Sequence, residues 1–284
     1  MTPNSTLSRR SFLSILGVAP LSAALPLSLL PESHIPVGLE LYSVRNALKQ
    51  DLMGTVTDVA HMGYQCVEFY APYYDWTPDY AVRVRKLLDS LGIRCYSTHN
   101  SLESFSSDGI NKAIELNQAL GARFVVLASP GDLKSLDDWK RTAETLNTAN
   151  DTLDSHGLHA GYHNHDLEWK SVDNQIPMEL LAASTDKSIM LQLDVGTCLA
   201  AGSDPVRWIK RNPGRIRSMH CKDWSPEKGY RVLLGEGVAP WKALFAAAES
   251  KGGLEYYLIE QEGSDYSELD TAKRCLATFR TLHP

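Results

Sequence analysis

Four groups able to bind a metal or move a proton fall within six residues of the stretch Leu158 to Trp169: His163, His165, Asp166 and Glu168. They follow an apolar run with the character of a buried strand. A strand that ends in imidazoles and carboxylates, just where the chain must leave the sheet, reads as one wall of a metal or acid–base site. Three later strand ends repeat the pattern, with Asp194 in Leu-Gln-Leu-Asp, His220 in Ser-Met-His-Cys-Lys-Asp and Glu260 in Leu-Ile-Glu-Gln-Glu. Together they form a mixed nitrogen and oxygen donor set. Such a set suits Mn²⁺, Co²⁺, Zn²⁺ or Fe²⁺, and Mg²⁺ less well. A lone Asp after a strand is ordinarily a turn or cap residue, and a lone His ordinary packing. Four strands producing the same coincidence weaken that plainer reading.

The elements that must position these groups alternate regularly. Strand-like runs are expected at Val37–Tyr42, Gln65–Phe69, Ile93–Ser97, Arg123–Leu127, Leu158–His163, Ile189–Asp194, Arg215–His220 and Tyr256–Gln261. Helical spacing lies between them, with one helix expected over Ala47–His61, the longest over Leu136–Ser155, a short one near Pro205–Ile209 and a last one over Ser267–Leu282. Glycine marks helix ends at Gly63, Gly92, Gly121, Gly157 and Gly252-Gly253, each ahead of a β-rich run. Eight strand–helix units in about 250 residues predict an α/β fold, a (β/α)₈ TIM barrel. A doubly wound sheet would carry a phosphate-binding glycine fingerprint after its first strand, and none is present. Chemistry in such a barrel sits at the carboxyl ends of the strands. Those ends carry Glu68, His99, His163 to Glu168, Asp194, His220 with Lys222, and Glu260 with Glu262, whereas the strand starts are apolar or plainly basic.

Composition, at 43% apolar and 22% charged, supplies a sizeable core for the 284-residue chain. The net charge of −6 argues against a nucleic-acid surface, which needs clustered Lys and Arg. Arg211, Arg215 and Arg217 read as a solvated helix end and loop. Five cysteines without a CxxC pair predict small core residues and no structural disulfide. Residues 1–33 read as a targeting segment. Arg9-Arg10 followed by Ser11-Phe12-Leu13 and an uncharged stretch to Leu30 resembles a Tat-type export signal, with periplasmic or secreted location expected. Pro20 and Pro26 interrupt that stretch and argue against a membrane anchor. Residues 34–284 then form a single barrel domain.

Several motifs occur in order: Gly38-Leu-Glu-Leu-Tyr-Ser-Val-Arg45, Tyr162-His-Asn-His-Asp166, Leu193-Asp-Val-Gly196 with Ala201-Gly202, His220-Cys-Lys-Asp223 and Gly235-Glu-Gly237. This set resembles the sugar phosphate isomerase/epimerase family of xylose-isomerase-like TIM barrels over nearly the whole domain. The resemblance implies one divalent metal ion (Mn, Co, Zn or Mg) held by Asp194, His220 and Glu260. The family's fourth ligand is a Glu on the fifth strand, and His163 stands at that position here. Either His163 binds the metal, or Glu168 reaches back from the loop and leaves His163 and His165 for proton transfer; Glu168 is the expected ligand, because a third carboxylate keeps the family's charge.

The implied function is a divalent-metal-dependent sugar isomerase/epimerase that works through an enediolate, with His163, His165 and Glu260 as proton-transfer groups. The same enediolate with a leaving group on the next carbon eliminates instead, so a 3-keto-glycoside lyase or sugar dehydratase is the alternative. Glu68, His99 and Lys222 are expected to hold substrate hydroxyls, a salt bridge of Lys222 to Asp223 or Asp194 being nearly as well supported. Trp76, Trp169, Trp224 and Tyr70 are candidates for a sugar-stacking platform. A non-catalytic sugar-binding protein is the reading from another class, although spare histidines exceed what binding needs. An apurinic endonuclease would need more metal ligands than the chain offers. The expected partner is a small carbohydrate, with no nucleic acid, no stable membrane insertion, and a homo-oligomer allowed.

Overall fold

The computed structural model describes residues 35–284; the expected signal segment at 1–33 lies outside them. Eight parallel strands close into a barrel in sequence order. They are β1 Val37–Glu40, β2 Cys66–Phe69, β3 Arg94–Ser101, β4 Phe124–Ser129, β5 His159–His163, β6 Met190–Asp194, β7 Ser218–Cys221 and β8 Tyr256–Ile259. Closure is made by β1 pairing with β8, Gly38 lying opposite Leu258. All eight expected strands are present.

Two helical expectations need correction. The single helix over Ala47–His61 is two, Arg45–Gln50 and Leu52–Met62. Asp51 separates them, with extended backbone and a side chain that accepts from the Gly54 amide, so it caps the second helix rather than continuing the first. After β6, the helix expected near Pro205–Ile209 runs over Pro205–Arg211 and is preceded by a turn of helix at Val195–Ala200, capped by Asp194 itself. The longest helix, Leu136–Asp154, starts in a full capping box between Ser135 and Asp138. Among the described residues, no helix is long and apolar enough to cross a membrane.

Alternation along the strands divides the core in two. Outward residues such as Val67, Val125, Leu127, Tyr162, Leu191, Leu193, Met219 and Tyr257 pack beneath the helices in one large cluster. Inward residues Cys66, Phe124, Val126, Met190, Tyr256 and Leu258 form a second, separate cluster that plugs the barrel. One step nearer the carboxyl ends, the same strand faces become polar: Cys66 leads to Glu68, Met190 to Gln192 and Asp194, and Gly161 to His163. The plug is therefore the floor on which the polar groups stand. The five cysteines are buried and unpaired. Arg215 departs from the solvated reading. It is buried and donates to the Ala182 and Ile189 carbonyls and the Thr185 hydroxyl, tying the end of one αβ connection to the start of β7.

Gly38 is required by the plug. A Cβ there would stand 2.4 Å from Cys66 Sγ and 2.6 Å from the Cys66 carbonyl oxygen, and the backbone oxygen cannot rotate away. Gly38→Ala should therefore lower stability by ~1–3 kcal/mol, the range typical of overpacking. A fall in the urea midpoint at unchanged slope is the expected result; an unchanged midpoint would show that β1 has slack.

Candidate metal centre

Asp194, His220 and Glu260 converge at the carboxyl end of the barrel, and the fifth strand adds His163. One ligand atom from each of these four residues lies within 4.8 Å of all the others, and all four residues are buried. Strand ends produce this convergence because neighbouring parallel strands advance in register, Asp194 lying opposite His220.

Each donor is held by a distinct set of bonds. Asp194 spends Oδ1 on capping the Thr197 amide at 2.8 Å, while Oδ2 is buried without any hydrogen-bond partner. An unpartnered buried carboxylate oxygen is costly unless something outside the protein satisfies it. Asn164 fixes the position of Asp194 by accepting from its amide (3.0 Å) and donating to Thr197 Oγ1 (2.9 Å), which ties the loop after β5 to the end of β6.

Gln192 sets the histidine tautomers. Its Oε1 accepts from His163 Nδ1 at 3.0 Å and His99 Nε2 at 2.7 Å, while its amide nitrogen donates to Glu68 Oε1 at 2.9 Å. A proton on His163 Nδ1 leaves Nε2 as the lone-pair nitrogen, and Nε2 is the atom turned toward Asp194 Oδ2, 4.0 Å away. Burial and the neighbouring His220, His99 and His165 rings hold the His163 pKa well below the usual imidazole value, so it presents that lone pair as a neutral ring.

His220 lies between two carboxylates, Nδ1 at 2.7 Å from Glu260 Oε2 and Nε2 at 2.8 Å from Glu68 Oε2. Burial alone would depress its pKa, but the hydrogen bonds to Glu260 and Glu68 outweigh that and push the ring up to about 10. For Glu68 and Glu260, burial is likewise overcome by their neighbours, which lower both carboxyl pKa values: the His99 and His220 rings act on Glu68, and Lys222 and His220 on Glu260. Lys222 is buried between Asp194 (3.7 Å), Glu260 (3.3 Å) and Glu262. Its ammonium form is kept by those carboxylates against the cost of burial.

The donor set fits a divalent ion. Two carboxylates and two imidazoles converge, one carboxylate oxygen accepts no hydrogen bond, and Glu68 would sit behind His220 as the outer carboxylate of a carboxylate–histidine–metal arrangement.

Above this group opens a cavity of about 470 Å³ lined by Glu40, Tyr42, Tyr70, His99, His163, His165, Glu260 and Glu262, among others. Four expectations change here. Glu168 stands apart from the donor group. It is buried under the loop, where its carboxylate accepts from Tyr162 Oη (2.8 Å) and the His165 amide (2.9 Å), and so it shapes the turn after β5. Glu68 is fully buried beneath the histidines and does not line the cavity, so it supports rings rather than substrate. Lys222 is committed to Asp194, Glu260 and Glu262 instead of the cavity, while Asp223 faces away and accepts from Trp241 Nε1 and the Gly235 amide. Of the aromatic candidates, Tyr70 lines the cavity, whereas Trp169 packs against Trp208 and Trp76 against Phe69 and Tyr80. His99 and His165 line the cavity as expected. Gln192 and Glu40 escaped sequence reasoning. An amide inside an apolar strand was the available signal for the first, and a carboxylate ending a strand of four residues for the second.

An eight-stranded parallel barrel with buried His, Asp and Glu side chains gathered at its strand ends defines a (β/α)₈ barrel with a candidate metal centre. Residues 56–281 match the xylose isomerase-like TIM barrel family, and the chain belongs to it. An inosose dehydratase from Lacticaseibacillus casei is 23% identical over 176 residues, which are 51% of this chain and 59% of that protein. The chain thus spans less than two thirds of the length of the curated relatives it matches. A solved sugar phosphate isomerase/epimerase from Parabacteroides distasonis superposes with a TM-score of 0.75 at 24% identity, covering 89% of this chain and 96% of the other. A structure described as the IOLI protein with a zinc atom superposes at 0.69 with 17% identity, covering 87% and 97%. At such identities the solved structures establish the shared fold.

Two outcomes test the centre. Because His220 carries both ring protons up to about pH 10, a metal that takes its Glu260-facing nitrogen must expel one. Affinity should rise with pH below that value, and titration calorimetry in buffers of different ionisation enthalpy should show about one proton released per ion. Gln192→Leu removes the bonds that fix both histidines and should weaken Mn²⁺ or Zn²⁺ binding by ~10–100-fold with the fold retained. Unchanged affinity would place the tautomer control elsewhere.

Proposed function

We propose that this protein is a divalent-metal-dependent enzyme that removes the proton beside the carbonyl of a keto sugar or keto polyol and then eliminates the oxygen on the next carbon. The observation that carries the reading is the donor group itself, buried under a cavity that His99, His165, Glu40 and Glu262 also line. When bound, the ion supplies a Lewis acid that stabilises charge on the substrate's carbonyl oxygen. His163, Asp194, His220 and Glu260 would hold it.

The protein's remaining groups do the proton work. With an ion held by the donor group, His163 would be occupied on both nitrogens, by Gln192 at Nδ1 and by the ion at Nε2, and so spent on position. His165 is not: its ring lines the cavity, and its Nδ1 lies 4.0 Å from Glu168 Oε1. It is the imidazole free to accept the carbon-bound proton. His99, its Nε2 held by Gln192, presents its ring to the cavity and can orient a hydroxyl.

Two features favour elimination over isomerisation or epimerisation. The family's epimerases, as the resemblance implies, pass the proton between two ligand carboxylates on opposite faces of the substrate. Here the fifth-strand carboxylate is replaced by His163, whose Nδ1 is tied to Gln192. The curated relatives with dehydratase names point the same way. We further propose that residues 1–33 export the enzyme by a Tat-type route, a reading supported by the Arg9-Arg10 segment.

The direct test is NMR of the metal-loaded protein in D₂O with a 3-keto-glucoside, an inosose and a free ketose. Release of the alcohol or water together with an unsaturated ketone is the expected result. Deuterium at the carbon beside the carbonyl with an epimer or isomer would instead establish the isomerase. His165→Ala should lower kcat by ~10²–10⁴-fold, the range for loss of a general base, while binding the metal as before. Retained kcat would remove His165 from the mechanism.

A further inference from the structure

Glu40 ends β1 at the mouth of the barrel and is 1% exposed. Its Oε2 accepts from the Tyr42 amide at 2.8 Å, which caps the short helical turn Leu41–Val44 and fixes the carboxyl's direction. Its Oε1 is buried with no hydrogen-bond partner, yet the residue lines the same cavity as His99, His163, His165 and Glu260. It also stands outside the group of four whose ligand atoms lie within 4.8 Å of one another. A buried carboxyl oxygen with neither protein nor ligand-set role is destabilising unless what enters the cavity satisfies it. Its position adds a second constraint. In a closed ring of eight strands, β1 lies diametrically across from β5, the strand whose loop carries His165.

We propose that Glu40 is the acid that hands a proton to the departing oxygen, from the wall facing the base. This rests on the elimination reading above. The balance closes within the site. His165 takes the proton from carbon, and the C–H pair becomes the new carbon–carbon double bond. The carbon–oxygen bond breaks with its pair going to oxygen, and the Glu40 proton joins that oxygen, releasing an alcohol or water. Proton exchange with solvent resets both residues. Burial, and then the charges of Glu260 and Glu68, push the Glu40 carboxyl upward, with His220 and the Tyr42 amide opposing them.

The test compares 3-keto-glucosides bearing a methyl and a 4-nitrophenyl aglycone. Glu40→Gln keeps an oxygen for the Tyr42 amide and a donor for the substrate but has no transferable proton. Its kcat should fall ~100-fold or more on the methyl substrate. On the nitrophenyl substrate, whose oxygen leaves without protonation, it should stay within a few-fold of the unaltered enzyme. Metal stoichiometry and melting temperature should be unchanged, and Glu40→Asp should recover part of the loss on the methyl substrate. Equal loss on both substrates, loss of metal, or no loss on either would overturn the role of Glu40. If the unaltered enzyme eliminates neither aglycone, the elimination reading fails and the proposal with it.

Discussion

The His220 ring, held between Glu68 and Glu260, is the interaction on which the rest of the site depends. Three carboxylates, Glu68, Asp194 and Glu260, are buried within one end of a barrel, and isolated buried charges of that kind are not tolerated. Two cations make the arrangement possible. His220 bridges an outer and an inner carboxylate, and Lys222 covers the Asp194 and Glu260 side. The remaining imbalance falls on Glu40 and Asp194, whose carboxyl pKa values both rise with burial and with Glu260 nearby. The site is thus polarised by design of its neighbours: ionised below, proton-rich at the β1 wall, and neutral imidazole at β5.

The barrel supplies what this polarisation needs. Its apolar plug of Phe124, Val126, Met190, Tyr256 and Leu258 excludes water from beneath the charged layer. Gln192 and Ser218 form the intermediate layer, joined at 3.2 Å, and pass hydrogen bonds upward to Glu68 and the histidines. An amide suits that place because it accepts and donates without adding charge. A carboxylate there would repel Glu68, and an apolar residue would free both rings to rotate.

Much of this was legible in the chain and some was not, for identifiable reasons. Eight strands and the convergence of Asp194, His220 and Glu260 follow from periodicity, because a parallel barrel maps strand ends onto one face. Between His163 and Glu168 the sequence leans to Glu168, since chain position says how far a carboxylate can reach but not that Tyr162 Oη and the His165 amide already hold it. Sequence does not say which way Glu68 and Lys222 face, because a titratable group at a strand end can turn inward to another charge as readily as outward; for Lys222 the expected alternative of a salt bridge to Asp194 is the one formed. The break at Asp51 and the burial of Arg215 depend on local bonds that hydrophobic spacing does not encode. Gln192 and Glu40 carry no distinctive sequence signal of their own, since one looks like a polar interruption of a strand and the other like part of a motif.

His163 at the fifth strand has a consequence beyond geometry. A set of Asp194, Glu260 and two neutral imidazoles carries two negative charges, so a divalent ion within it is formally neutral, whereas a third carboxylate would leave the complex anionic. Fewer anionic donors leave more of the ion's charge for a substrate oxygen. Imidazole nitrogen also shifts preference from Mg²⁺ toward Mn²⁺, Co²⁺ or Zn²⁺. Replacing the carboxylate removes a basic group from the face where epimerases use one, and the imidazole that succeeds it is locked through Nδ1 to Gln192. In the proposed mechanism, proton transfer on that side comes from the loop, at His165, one step farther from the donors. The substitution that strengthens the electrophile also separates the ligand from the base, and a site with base and ligand on different residues is free to place its acid elsewhere.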